Sequence, residues 1–142
     1  NFMASRVYFV KKGQGAITLE VKPTTIGIAS SVAKLKKSGG SVTDVGDSGN
    51  DATGKIQSVP VGKSADLLQS VLVITTIVDL TAVPKNQWNQ VFEQLRVNYH
   101  LEGGIDGPQD FNVDNDDKSQ ILDGKMIIAV KAIKFELHAI PQ

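Results

Sequence analysis

A chain of 142 residues has the size of one domain and can bury a core without disulfides or bound metals. Its 41% hydrophobic and 21% charged residues exclude a fibrous or disordered chain, and the absence of cysteine excludes disulfides and thiolate chemistry. The formal net charge is zero with only two arginines, which argues against a nucleic-acid partner.

The first residues of the chain carry no recognisable targeting signal. Met3 has the place of a native initiator, so we expect Asn1 and Phe2 to be residues added in cloning. A secretory signal would show a basic stretch followed by a long apolar one, and no apolar run approaches the ~20 residues of a membrane span. These features favour the cytoplasm, but a mature secreted chain would look the same, so the localisation stays open.

Val, Ile and Thr make up about a quarter of the chain, and these β-branched residues favour strands. Residues 6–12 read as a strand, Gly13 and Gly15 as a tight turn, and residues 16–22 as a strand that alternates apolar and polar side chains. This order predicts a β-hairpin with a solvated outer face.

The next segments predict shorter strands and a loop. Residues 32–37 form a strand in which Lys34 and Lys36 line one side, a pattern typical of a protected sheet edge. Residues 38–54 are rich in Gly, Ser, Asp and Asn, which predicts a mobile loop with a short strand at 42–45.

The middle of the chain predicts the centre of the fold. Residues 55–61 form a weak edge strand, whereas residues 71–80 are apolar on both faces, as expected of a covered central strand. In residues 84–95, apolar side chains recur at helical spacing, which predicts one short helix that closes an end of the fold. That stripe consists of Trp88, Val91, Phe92 and Leu95.

The last third predicts further strands at 96–102, near 109–113, and at 125–137. The pattern of the last one changes near Lys131, which indicates a bulge, and this strand should pair beside the central one. The sequence therefore predicts an all-β fold: one antiparallel β-sandwich over residues 1–142, jelly-roll or immunoglobulin-like, with about eight to ten strands and one helix.

The acidic segment at residues 110–117 is the one candidate metal site. Carboxylate and amide oxygens at alternate positions can converge on Ca²⁺, which takes six to eight oxygen ligands. An EF-hand is rejected, because the sixth position is Asn115 rather than Gly and the twelfth is Ile121 rather than Glu. The alternatives are a solvated turn and a Ca²⁺ site of another geometry. The candidate ligands are Asp110, Asn112, Asp114, Asp116 and Asp117.

No catalytic pattern is visible. His100 and His138 fall on the polar phase of predicted strands, and neither lies in a recognisable triad context. The four glutamates fall on solvent-facing positions, which does not favour a glycosidase. We therefore expect no enzyme and no cofactor other than Ca²⁺.

Charge is unevenly distributed along the chain. Residues 1–43 carry seven basic side chains and one acidic one, and residues 44–124 carry thirteen acidic and five basic ones. Strands from both segments can mix in space and cancel this asymmetry, or it can orient like subunits toward each other. We expect a structural or self-associating subunit or a protein-binding module, with a homo-oligomer or another protein as partner. The alternative is a lectin-like module that binds a glycan through Ca²⁺ at residues 110–117.

Overall fold

The structure is a computed structural model that describes residues 6–11, 13 and 15–137. Asn1, Phe2 and His138 lie outside the described residues. Two β-sheets pack against each other and one short α-helix accompanies them, which confirms the all-β sandwich. The described residues form ten strands, within the number that the sequence predicts. No described helix has the length and apolar character that crossing a membrane requires.

The strands follow one another along the chain, and the one α-helix of the described residues, α1, lies between β6 and β7. The strands are β1 (Arg6–Val10), β2 (Ala16–Thr24), β3 (Ile28–Lys36), β4 (Val42–Asp47), β5 (Ile56–Lys63), β6 (Val71–Asp79), β7 (Arg96–Glu102), β8 (Gln109–Asn112), β9 (Lys118–Ile121) and β10 (Met126–Leu137). Helix α1 is Trp88–Gln94, preceded by a 3₁₀ turn at Lys85–Gln87, so the predicted helix is confirmed.

The larger sheet has six strands in the order β1-β10-β6-β3-β4, and β9 also pairs with β10. β6 and β10 pair antiparallel in one unbroken register, from Met126 opposite Asp79 to Lys134 opposite Val71. The predicted pairing beside the central strand is therefore confirmed. The predicted bulge near Lys131 is wrong, because the register does not shift there.

The smaller sheet has four strands in the order β5-β2-β7-β8. The predicted hairpin of the first two strands is wrong, since β1 pairs with β10 in the larger sheet while β2 pairs with β5 and β7 in the smaller one. The turn between them crosses from one sheet to the other. The crossing places the buried sides of both strands, with Tyr8 and Val10 on β1 and Ile17 on β2, against the same core.

β1 is also the one parallel partner in the described sheets, so the sandwich is antiparallel with a single exception. It lies along the second half of β10, where Arg6 is opposite Ile133, while β9 lies along the first half, where Lys118 is opposite Ala129. Two edge strands therefore share one edge of β10, and Lys131 lies between them.

The core lies between the sheets and contains one apolar side of every long strand. On β2, the alternation that the sequence shows is the observed one: Ile17, Leu19 and Val21 are fully buried. On β6, Leu72, Ile74 and Val78 are fully buried in the same core. Helix α1 adds Val91 and the residue after its end, Leu95.

The segment predicted as a mobile loop contains β4, which pairs with β3. Hydrogen bonds also fasten the residues after β4 to β3. Ser31 N–H donates to Ser48 Oγ at 2.9 Å, Ser48 N–H donates to Ser31 O at 2.9 Å, and Ala29 N–H donates to Ala52 O at 2.8 Å. Part of residues 38–54 therefore belongs to the sheet, and the mobility of the rest stays a prediction.

The interpretation of Lys34 and Lys36 as edge protection is wrong. β3 lies between β4 and β6, so it is an interior strand of the larger sheet. Both lysines belong to the exposed alternate positions of β3, and they lie on the outer face of the sheet rather than along its edge.

Two buried tyrosines allow a matched test of the core. Tyr8 OH accepts a hydrogen bond from Gly104 N–H at 2.8 Å and donates to Gly107 O at 2.7 Å, whereas Tyr99 OH is buried without a partner. We expect Tyr8→Phe to lower the free energy of unfolding by about 1–3 kcal/mol, because it leaves a buried N–H unsatisfied. Tyr99→Phe should be neutral or stabilising in the same urea titration. Equal losses in the two variants would contradict this account.

Candidate functional site

The five predicted Ca²⁺ ligands are divided among three places. Asp110 and Asn112 are on β8, where they flank the buried Phe111 and lie on the outer face of the smaller sheet. Asp114 and Asp117 bracket a 3₁₀ turn at Asn115–Asp117, directly before β9. Asp116 lies in that turn and is exposed. Because side chains alternate along a strand, the side chains of Asp110 and Asn112 lie on the face of β8 that points away from the core.

A buried lysine lies where Asp114 and Asp117 converge. Lys131 is 1% exposed, and its Nζ donates to Asp114 Oδ2 at 2.8 Å, Asp117 Oδ2 at 3.0 Å and Asn112 O at 2.8 Å. Three acceptors match the three donors of an ammonium group. The cation bound by the carboxylates of Asp114 and Asp117 is therefore the ammonium group of Lys131.

The turn that carries these carboxylates is itself a capping box. Asp114 N–H donates to Asp117 Oδ2 at 2.8 Å, and the Asp114 side chain accepts from the backbone of Asp117. Arg6 of β1 adds a second cation, with Nη2 at 2.6 Å from Asp114 Oδ2. This ion cluster, comprising Arg6, Asp114, Asp117 and Lys131, joins β1, β10 and the turn before β9.

The charges of the ion cluster shift nearby pKa values. The pKa of Asp114 is lowered, first by its hydrogen bond with Lys131 and then by that with Arg6, while partial burial opposes the shift. The pKa of Tyr99 is raised, chiefly by burial and further by the negative charges of Asp117 and Asp114. Asp114 is therefore ionised at neutral pH, and the Tyr99 hydroxyl stays protonated.

In the part of the chain that the structure describes, no group of three or more His, Cys, Asp or Glu side chains is arranged to hold a metal ion. Binding of Ca²⁺ by residues 110–117 stays a prediction. An ion that took Asp114 and Asp117 as ligands would meet the ammonium group of Lys131 at the same oxygens.

His100 lies on the outer face of the smaller sheet between two carboxylates. Its Nδ1 is 2.8 Å from Asp110 Oδ1 and its Nε2 is 3.1 Å from Glu102 Oε2. The hydrogen bond with Asp110 is the largest cause of its raised pKa, which the bond with Glu102 reinforces. This arrangement stabilises an imidazolium on an exposed surface, because both ring nitrogens face acceptors.

The outer faces of the two sheets differ sharply in chemistry. Outward positions on β2, β7 and β8 of the smaller sheet are mostly polar, while Pro60 of β5 is opposite Thr18 on the same face. The polar positions include Thr18, Glu20, Lys22, Asn98, His100, Glu102, Asp110 and Asn112. An antiparallel sheet with one solvated face commonly shows this pattern.

The outer face of the larger sheet is dominated by apolar side chains, and we call its central part the apolar face. Ile28 is 56%, Val32 41% and Ile77 37% exposed, and the others are partly exposed. A groove of about 440 Å³ on this surface is lined by Val32, Val73 and Thr75, with Lys34, Lys36 and Val42. The apolar face consists of Ile28, Val32, Val71, Val73, Ile77, Met126, Ile128 and Val130, with two uncharged polar residues among them, Ser30 and Thr75.

The sequence contains a signal for this face. Residues 71–80 are apolar on both sides, which predicts that both sides are covered. The four-stranded sheet covers the side with Leu72, Ile74 and Val78, and no described layer covers the side with Val73 and Ile77.

A second groove, of about 400 Å³, lies beside helix α1. Its lining combines Thr24, Thr25 and Ile26 with three glutamines of the helical segment, Gln87, Gln90 and Gln94, and with Val91. The groove carries no charged side chain among these residues. It can offer amide and hydroxyl hydrogen bonds to a neutral group.

Comparison with known proteins gives no match: no family model, no curated protein and no solved structure is significantly similar to this chain.

The ion cluster predicts a large difference between its buried and exposed cations. We expect Lys131→Met to lower the free energy of unfolding by about 3–5 kcal/mol, because it leaves the buried carboxylate of Asp117 without its cation. Arg6→Met removes an exposed partner of Asp114 and should cost only about 0–1 kcal/mol. Urea unfolding at neutral pH measures both. A Lys131→Met variant as stable as Arg6→Met would show that the cluster does not hold the strands together.

Proposed function

We propose that this protein is a self-associating structural β-sandwich subunit, which buries the apolar face of its larger sheet against a second copy of the chain. The contrast between the two outer faces carries the proposal. The polar face of the smaller sheet is readily solvated, whereas exposure of Val32, Val73 and Ile77 to water is unfavourable in free energy. An apolar surface framed by polar residues is typical of a protein interaction site.

The size of the outer face of the larger sheet fits a specific interface. Its outward side chains form five rows about 6.8 Å apart on five strand positions about 4.8 Å apart, which cover about 650 Å² per copy, and the three strands of the apolar face provide about 400 Å² of this area. Two copies would bury about 1,300 Å², which lies within the range of stable protein–protein interfaces. Face-to-face packing of two sheets is also a common arrangement in β proteins.

A second copy suits this surface because the surface carries both signs of charge. Lys36 and Lys134 lie at one end of the apolar face, and Asp79 lies at the other. A surface with opposite charges at its two ends is complementary to itself once it is turned around. A partner of one predominant charge would match only one of these ends.

A different protein partner is the competing occupant of the apolar face. A monomeric chain at high concentration would favour it over a second copy. The glycan-binding alternative depends on Ca²⁺ at residues 110–117 and stays a prediction.

A pair of isoleucine variants tests the proposal. We expect Ile77→Lys to weaken self-association by about 100-fold or more, because it places an unpaired charge of each copy in an apolar interface. The matched control is Ile26→Lys, since Ile26 is 70% exposed and lies beside helix α1, away from the apolar face. Sedimentation velocity over a concentration series measures both variants, with thermal unfolding as the check on folding.

A wild-type protein that stays monomeric at the highest concentration would overturn the proposal. Equal weakening in the two lysine variants would place the interface elsewhere and overturn it too. Loss of association in Ile77→Lys alone, with both variants folded, is the expected outcome.

A further inference from the structure

We infer that the two copies pack with their β6 strands antiparallel, so that the basic end of one apolar face lies on the acidic end of the other. This inference rests on the proposed self-association and specifies its geometry. It follows from the order of charges in rows across the larger sheet.

The strand register aligns the outward side chains in rows. In the row at one end of the apolar face, Lys36 of β3 is opposite Val71 of β6, and Val71 is opposite Lys134 of β10. In the row at the other end, Ile28 is opposite Asp79, and Asp79 is opposite Met126. Two positive charges therefore flank one end of β6, and a negative charge ends the other.

The three central strands do not favour either orientation in the middle row. Val32, Thr75 and Val130 carry no charge, and Asp47 continues this row on the β4 edge. The neighbouring Lys34 is paired within the chain, with its Nζ 3.1 Å from Asp44 Oδ1. Asp47 Oδ1 accepts a hydrogen bond from Gly49 N–H at 2.8 Å, as Asp79 Oδ1 does from Thr81 N–H at 2.8 Å, and Asp47 lies at the edge of the sheet whereas Asp79 is on the central strand.

Two face-to-face arrangements with a two-fold axis are available. An axis along the strands places each row over the equivalent row of the second copy. Lys36 and Lys134 then face lysines of the second copy, and Asp79 faces Asp79. An axis across the strands places the row of Lys36 and Lys134 over the row of Asp79. Opposite charges at an interface favour the second arrangement, and juxtaposed like charges disfavour the first.

The charged residues beyond the two rows agree with this choice. Glu136 follows Lys134 by two positions on β10, beyond the basic row. Lys125 precedes Met126, beyond the acidic row, and its positive charge contributes to the lowered pKa of Asp79. The axis across the strands brings the end with Glu136 to the end with Lys125, which again pairs opposite charges.

Cysteine cross-linking distinguishes the two arrangements, because the chain contains no native cysteine. The variants are Val71→Cys in the basic row and Ile28→Cys in the acidic row, one of them labelled with nitrogen-15. Packed sheets are about 10 Å apart, so a bismaleimide that spans about 11 Å can join thiols that face each other. Thiols at opposite ends of β6 would be about 27 Å apart along the strand, out of reach.

The expected result is a covalent heterodimer in the mixture of the two variants, identified by its intermediate mass, and little product from either variant alone. Homodimers of Val71→Cys alone would show the parallel arrangement, so the inference would fail while the proposed self-association stood. Absence of cross-links in a protein that sediments as a dimer would also overturn the inference alone. A monomer in sedimentation would overturn both.

Charge reversal provides a second, independent readout. We expect Lys36→Glu with Lys134→Glu to raise the dimer dissociation constant about tenfold, since two such contacts occur per dimer. Adding Asp79→Lys to this variant should restore most of the affinity, because the opposite ends attract again. In a parallel dimer the third substitution leaves like charges facing each other, so the absence of restoration would contradict the antiparallel geometry.

Discussion

The strand β6 is apolar on both of its faces, but the sandwich supplies a layer for only one of them. Leu72, Ile74 and Val78 are fully buried beneath the four-stranded sheet, while Val73 and Ile77 on the opposite side have no described layer above them. Because burial of apolar surface is the main favourable term in folding and association, this imbalance determines where the molecule can gain further stability. The proposed subunit contact follows from it.

The inner face of the larger sheet meets a different constraint at Lys131. Two edge strands, β1 and β9, share one edge of β10, and the ion cluster lies where they meet. A buried ammonium group is tolerated only when acceptors surround it, and three oxygens do so here. The acidic segment that suggested a metal site thus contributes to holding the edge of the sheet.

Alternation of side chains predicted the strands and their buried positions well, as Ile17, Leu19 and Val21 on β2 show. It could not predict which strands pair, because β1 and β2 show the same local pattern whether they form a hairpin or belong to opposite sheets. The bulge was predicted because Lys131 interrupts an apolar pattern. The strand continues through Lys131 because Asp117 and Asp114, 14 and 17 positions earlier, neutralise its charge, and the local pattern does not contain this information. The apolar face was visible in residues 71–80, but only the sheet order shows which side lacks a cover.

Solvent access to individual methyl groups reports whether the apolar face is covered by a second copy in solution. A soluble paramagnetic probe accelerates the relaxation of exposed methyl protons, and NMR can follow this at low and high protein concentration. We expect the methyl groups of Val32, Val73 and Ile77 to become protected as concentration rises, while Ile26 beside helix α1 stays accessible. Equal access of the probe to all four residues at every concentration would contradict the proposed subunit contact.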